Sequence, residues 1–192
     1  QVFTDIDYSP MALGGLTDGV YCAEVTAAYQ IFGNGGKYYT PYTVYRIEDN
    51  DGNVIYDYQQ NHSEEQAISF DTATIMNKLL HLPINGTDTD AYPTANMVRR
   101  DDLDQIGKTG TTEDSNDVWY MGGTTAFVCG IWNGHEYKEE IYDTNSAKKM
   151  YNGIIDWMEA NYYDFLHSGS YVLSDNVVQL SYCRDSGLRP GP

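Results

Sequence analysis

Along "CAEVTAAYQIF" the apolar positions Val25, Ala28, Tyr29 and Phe32 recur at the spacing of one helical face, which predicts a helix over Cys22–Phe32. "GNGG" at 33–36 ends it, because glycine and asparagine accept the left-handed backbone of a helix terminus. Over Tyr42–Tyr58 apolar and polar residues alternate on both sides of "DNDG", the pattern of a β-hairpin. The acidic stretch "QQNHSEEQ" reads as a loop. A second helix is predicted over Ser69–Pro83, capped by Ser69 or Asp71, striped by Ile75, Met76, Leu79 and Leu80, and stopped by Pro83. A long polar loop follows. Three short strands then come at Ile106–Thr112, Asp117–Thr124 and Ala126–Gly134, separated by "EDSND" and a glycine pair. From Asn145 a closing helix carries Met150, Ile154 and Met158 four residues apart, and the tail holds one strand-like apolar stretch before a Pro/Gly end. Helices, a hairpin and an antiparallel meander make the fold class α+β.

Composition narrows the function. The 192 residues carry a formal charge of −17, which argues against a nucleic-acid partner, since phosphate binding is built from clustered lysine and arginine. No apolar run is long enough to cross a membrane. Cys22, Cys129 and Cys183 are far apart and odd in number, so neither a disulfide framework nor a zinc site is expected; Cys129 reads as a small buried apolar residue. His62, His81, His135 and His167 lack metal-ligand spacing and read as structural or solvent-facing. The acidic runs "RIEDNDG" and "RRDDLD" lack the calcium-loop pattern and read as solvated turns. Most of the 18 tyrosines are expected on partly buried strand and helix faces rather than on a glycan platform.

"GKTGTT" at Gly107–Thr112 is the stretch most charged with chemistry. It is not a phosphate-binding P-loop, because the leading glycine of that pattern falls at Asp102, whose carboxylate would repel phosphate. With "EDSNDVWYMGG" directly after it, "ALGGLTDGV" upstream, the stretch "GNGGKYYTPY", the hairpin "RIEDNDGNVIYDY" and the tail "YCRDSG", the chain resembles the C-terminal part of the transpeptidase domain of a class A, bifunctional, penicillin-binding protein. The resemblance covers most of the chain, with residues 1–167 as the C-terminal part of the domain and 168–192 as a tail strand and a Pro/Gly end.

The resemblance implies the penicillin-binding-protein and serine β-lactamase-like fold, an antiparallel sheet flanked by helices. It implies a K-T-G strand at the sheet edge, lining the active site. Lys108 then supplies positive charge to the proton network. Thr109, Gly110, Thr111 and Thr112 receive substrate, with the hydroxyls of Thr109 and Thr111 on the terminal carboxylate of a D-Ala-D-Ala stem peptide or of a β-lactam. The backbone N–H of Thr111 is half of an oxyanion hole, whose preorganised donors carry much of acyl-transfer catalysis. No metal or organic cofactor is implied. The parent protein is expected to work at the extracytoplasmic face of the bacterial membrane, anchored by a helix, with a glycosyltransferase domain upstream.

The family's chemistry requires S-x-x-K, then S-x-N, then K-T-G. Neither of the first two precedes Lys108. Ser146–Lys149 and Ser174–Asn176 spell them downstream, in the wrong order; Ser146 reads as a helix-capping serine on a helix that in the family packs behind the sheet, and Ser174 as a turn residue. Asp88 replaces a glycine of the loop before K-T-G, and Ile106 a small residue. The chain alone is therefore expected to lack catalysis, to miss N-terminal strands and the nucleophile helix, and to associate with that missing part or with itself. Two alternatives remain: a β-lactamase or D,D-carboxypeptidase relative, and a non-catalytic scaffold module of the same fold.

Overall fold

The computed structural model describes residues 12, 14–16, 19–86, 92–183 and 185–189. Helix α1, Cys22–Tyr29, continues into a 3-10 turn at Gln30–Phe32. It stops where predicted: Gly35 and Gly36 have φ of 77° and 90°, and a Cβ on Gly36 would lie 2.1 Å from the Ile68 carbonyl oxygen. Strand β1, Lys37–Tyr39, then leads to the predicted hairpin of β2, Arg46–Glu48, and β3, Val54–Asp57, paired antiparallel.

The expected loop at 59–66 instead contains structure. Asp57 caps the short helix α2, Tyr58–Asn61, by accepting from the Gln59 amide at 2.9 Å. Strand β4, Glu64–Gln66, then pairs with β1. Glu64 holds that pair by accepting from Lys37 Nζ at 2.7 Å and from the Tyr39 hydroxyl.

Helix α3 spans Phe70–Asn85, with Ser69 as its cap, accepting from the Thr72 amide at 3.1 Å. Pro83 does not end it, as the sequence suggests. The core takes up Ile84, only 1 % exposed, the Pro83 carbonyl accepts from the Ala95 amide at 2.7 Å, and termination waits for Gly86 at φ 77°. The expected stripe divides: Leu80 is buried with Ala73, Asn77 and Ile84, while Ile75 and Leu79 are exposed.

A three-stranded antiparallel sheet follows in the order β5, Gln105–Thr111; β6, Asp117–Thr124; β7, Val128–Gly134. The last strand begins two residues later than the apolar run suggests. Buried Gln105 anchors its start by accepting from the Arg100 amide at 2.7 Å and donating to the Val98 carbonyl at 3.2 Å.

Register lines up Lys108, Met121 and Gly130 in one row across the sheet, and Thr109, Tyr120 and Ile131 in the next. The first row faces α1, since a Cβ on Gly130 would meet Thr26 Oγ1 at 2.0 Å. The second row faces α4, Ser146–Asn161, where the Tyr120 and Tyr151 rings lie 4.7 Å apart. Ile84, Val98, Val118, Tyr120, Ile131, Tyr151 and Ile155 belong to this core.

Helix α4 presents Ala147, Tyr151 and Ile155 to the sheet rather than Met150 and Ile154, which stay exposed; of the expected stripe only Met158 packs against the core. The face is turned because Ala147, with no exposed surface, lets the helix approach closely. Its N-cap is Asn145, not Ser146, whose hydroxyl accepts from Asn133 Nδ2 at 2.7 Å. A short α5, Tyr163–Leu166, follows.

No strand forms among the described tail residues, where Val178, Leu180 and Tyr182 are exposed. Ser174 is buried against α3, its amide donating to Thr74 Oγ1 at 2.9 Å and its hydroxyl to Asp71 at 2.5 Å. Tyrosines occupy both environments: Tyr120 and Tyr151 are fully buried, whereas Tyr92 and Tyr142 are exposed.

Two predictions follow from this packing. The Tyr120 hydroxyl lies across Gly107, where an added Cβ would sit 2.3 Å from it. Gly107→Ala is expected to cost about 1–3 kcal/mol as overpacking, read by urea unfolding, and Tyr120→Phe in that background to recover part of the loss.

His81 lies 3.2 Å from Asn77 Oδ1 and 3.4 Å from Asp104. Burial pushes its imidazole below the usual value of 6.5; Lys78 adds to the shift and Asp104 opposes it. A depressed folded value means that the unfolded chain takes up its proton first. The contribution of His81 is thus complete above about pH 6.5 and is lost as pH falls through the folded value. Thermal melts from pH 7.5 to 5 should fall less steeply for His81→Asn than for the wild type.

Candidate functional site

The K-T-G residues lie on β5, at an open edge of the sheet. The Thr112 amide donates inward to the Asp117 carbonyl at 3.1 Å. Because antiparallel residues alternate between bonded and non-bonded positions, Gly110 and Lys108 also direct their backbone groups at β6, whereas those of Thr111 and Thr109 point out of the open edge. Lys108 Nζ reaches the same edge, donating to the Thr109 carbonyl at 2.9 Å, and its side chain is exposed. Gly110 faces Trp119, whose Cβ would be 3.1 Å from a Cβ on the glycine, so a larger side chain there would crowd the strand.

A clamp follows the motif. Asp117 accepts from Thr112 Oγ1 at 3.0 Å and from Trp132 Nε1 at 2.8 Å, while its amide donates to Thr112 Oγ1 at 2.8 Å. The intervening turn holds Asp114 and Ser115 at φ 58° and 53°, a conformation costly for residues other than glycine. The sequence D-x-W after K-T-G-T-T is thus a structural lock on the end of β5.

In front of this edge lies an open groove of about 1620 Å³. Val25 and Tyr29 of α1, Phe32 of the turn after it, Met76 and Leu79 of α3, Lys108–Thr111 of β5 and the following Thr112 line it. Its apolar walls explain why the exposed Leu79 carries a hydrophobic side chain at all. Four residues of "ALGGLTDGV", Gly14, Leu16, Gly19 and Val20, reach its rim. Leu13, Thr17 and Asp18 of that stretch, Asp88 of the preceding loop and Arg184 of the tail lie outside the described residues.

Thr94, which sequence reasoning does not single out, touches the motif from behind, and Lys148 in turn touches Thr94. Thr109 Oγ1 donates to Thr94 Oγ1 at 3.1 Å, and Lys148 Nζ donates to the Thr94 carbonyl at 3.0 Å. Lys148 is an intervening residue of the downstream S-x-x-K spelling, whose lysine is Lys149, and sits on a helix expected away from the site. Its helix does pack behind the sheet, yet its long side chain reaches the loop beside β5. Elsewhere, Asp102, Glu159 and His167 converge within 4.8 Å although they are remote in sequence. Glu159 lies 3.0 Å from His167 Nε2, so the group forms an ion pair when the imidazole is protonated. Cys129 is partly buried, and burial pushes its thiol up to about 11.

The penicillin binding protein transpeptidase domain family matches residues 4–156, and the chain belongs to that family. Penicillin-binding protein 4 of Bacillus subtilis is 34 % identical over 134 residues, covering 69 % of this chain and 20 % of that protein. Penicillin-binding protein 1A of Clostridium novyi is 28 % identical over 192 residues, covering 98 % of this chain and 21 % of that protein. The chain thus spans about a fifth of the length of these curated relatives. Among solved structures, penicillin-binding protein 1A from Haemophilus influenzae shares the fold with a TM-score of 0.68 at 21 % identity, covering 90 % of this chain and 31 % of that one. Penicillin-binding protein A from M. tuberculosis, solved as an imipenem acyl-enzyme complex, gives 0.54 at 17 % identity, over 74 % of this chain and 32 % of that one. The sequence resemblance and the α+β fold with an antiparallel sheet flanked by helices both stand.

If Asp117 is the lock described, Asp117→Ala removes the acceptor of two hydrogen bonds. It should cost about 1–3 kcal/mol in urea unfolding, whereas Trp132→Phe, which deletes one of them, should cost less.

Proposed function

We propose that this chain carries the K-T-G wall of a peptidoglycan D,D-transpeptidase site, completed by a preceding segment that brings the serine nucleophile. The observation that carries the reading is the open edge of β5, with the Thr111 N–H directed outward and Lys108 Nζ beside it, facing a groove far larger than a small ligand needs. The reaction is acyl transfer. A serine oxygen attacks the D-Ala-D-Ala carbonyl, D-alanine leaves with a proton, and an amine of a neighbouring stem peptide resolves the acyl-enzyme. Thr111 N–H donates to the oxyanion, Lys108 supplies positive charge, and the hydroxyls of Thr109 and Thr111 hold the substrate carboxylate. Gly110 leaves room for substrate to lie along the strand, and Thr112 ends it at the Asp117 lock. A β-lactam enters the same place because it presents a carboxylate beside an electrophilic carbonyl.

The apolar groove is the seat of the preceding segment, whose helices would cover Tyr29, Phe32, Met76 and Leu79. Such a protein acts at the extracytoplasmic face of a bacterial membrane. No helix among the described residues is long and apolar enough to cross one.

The test is labelling by a fluorescent penicillin, read by intact mass, on this chain alone and mixed with the upstream segment of its parent. Label on the upstream segment only in the mixture is expected, with Lys108→Ala lowering the rate at least a hundredfold, of the order seen for loss of an electrostatic group in such sites. Label on this chain alone, at Ser146 or Ser174, contradicts the reading. A mixture that folds and never labels favours a non-catalytic scaffold.

A further inference from the structure

Thr109 has one hydroxyl proton, and in this structure that proton is given to Thr94. A carboxylate accepts only, so an incoming anion must take the proton over. Thr94 Oγ1 then becomes the donor to Thr109 Oγ1, and both hydroxyls rotate without either losing a partner. We propose that Thr94 and Lys148 are positioning residues that orient the Thr109 hydroxyl toward the carboxylate of the acyl donor. The inference rests on the reading of β5 as the wall of an acyl-transfer site.

Three features fix Thr94 in place. Lys148 Nζ holds its carbonyl at 3.0 Å. One turn further along α4, Asn152 Nδ2 holds the Met97 carbonyl at 3.0 Å. Beside these two points Ala95 and Val98 have no exposed surface, and the Ala95 amide donates to the Pro83 carbonyl at 2.7 Å. The Thr94 hydroxyl is therefore presented from a turn clamped between α3 and α4, not from a free loop. The Lys148 ammonium is partly buried, and burial lowers its affinity for the proton while Asp143 opposes the shift. A side chain tolerating that cost for one backbone carbonyl fits a role in placing Thr94.

A chain of two hydroxyls ending on an anion also polarises: each donor strengthens the next. Thr94 then favours acyl donors with a free carboxylate over esterified ones, because only the anion draws the charge-assisted bond from Thr109.

The experiment uses the full-length parent and measures acylation rate constants with benzylpenicillin and with its methyl ester, alongside melting temperatures. Thr94→Val keeps the shape and removes the hydroxyl; Lys148→Met removes the carbonyl's donor. Each should lose roughly tenfold on the acid and less than about twofold on the ester, the size expected for one charge-assisted bond. Thr94→Ser and Lys148→Arg should restore the acid rate. An equal loss on both compounds, or no loss on the acid, overturns the positioning role while leaving the transpeptidase reading intact. A wild-type parent labelled by neither compound overturns both.

Discussion

Tyr120 is the residue on which the sheet depends. Its side chain has no exposed surface, and its hydroxyl lies over Gly107 on one strand and within 2.7 Å of where a Cβ of Gly122 would stand. Its ring meets Tyr151 of α4 on the other side. Glycine at 107 and 122 is thus the space that one aromatic ring occupies. Filling it fixes the approach of α4 to the sheet and the register of β5 against β6, since a one-residue slip would turn Tyr120 and its row to the opposite face. Everything proposed for Lys108 through Thr112 inherits that register, including which amides point outward.

The site is a consequence of one strand having work on both faces and on its edge. Its α1 face carries Lys108 and Gly110, its α4 face carries Thr109, and its free edge offers the backbone of Thr111. The Asp117 lock holds the end of the strand next to that edge. The apolar side chains left uncovered on α1 and α3 supply the other half of the argument. Exposed Leu79 and half-buried Phe32 and Met76 are costly in water, and a groove of this size suits packed helices rather than a small molecule.

Much of the fold was legible because the signals were local. Alternation gave the hairpin and the three strands, and "GNGG" marked the end of α1. Where long-range packing decides, local patterns point elsewhere. On α4, Ala147, Tyr151 and Ile155 form as regular a stripe as Met150, Ile154 and Met158, and the close approach at Ala147 together with the Tyr120–Tyr151 contact selects the first. Pro83 reads as a stop because the Ala95 amide that donates to its carbonyl lies outside the local window. The tail's apolar stretch forms no strand among the described residues, its side chains staying exposed. The K-T-G strand was found from its motif; Thr94 and Lys148 were not, being joined to it only through space.

The account stands or falls on whether the open edge of β5 is where an acyl group is held. Hydrogen exchange of the full-length parent, before and after acylation by penicillin, tests this directly. The account predicts slowed exchange at Thr109 and Thr111, whose amides point out of the edge, with no change at the β2–β3 hairpin. Acylation that leaves both amides exchanging as before would contradict it.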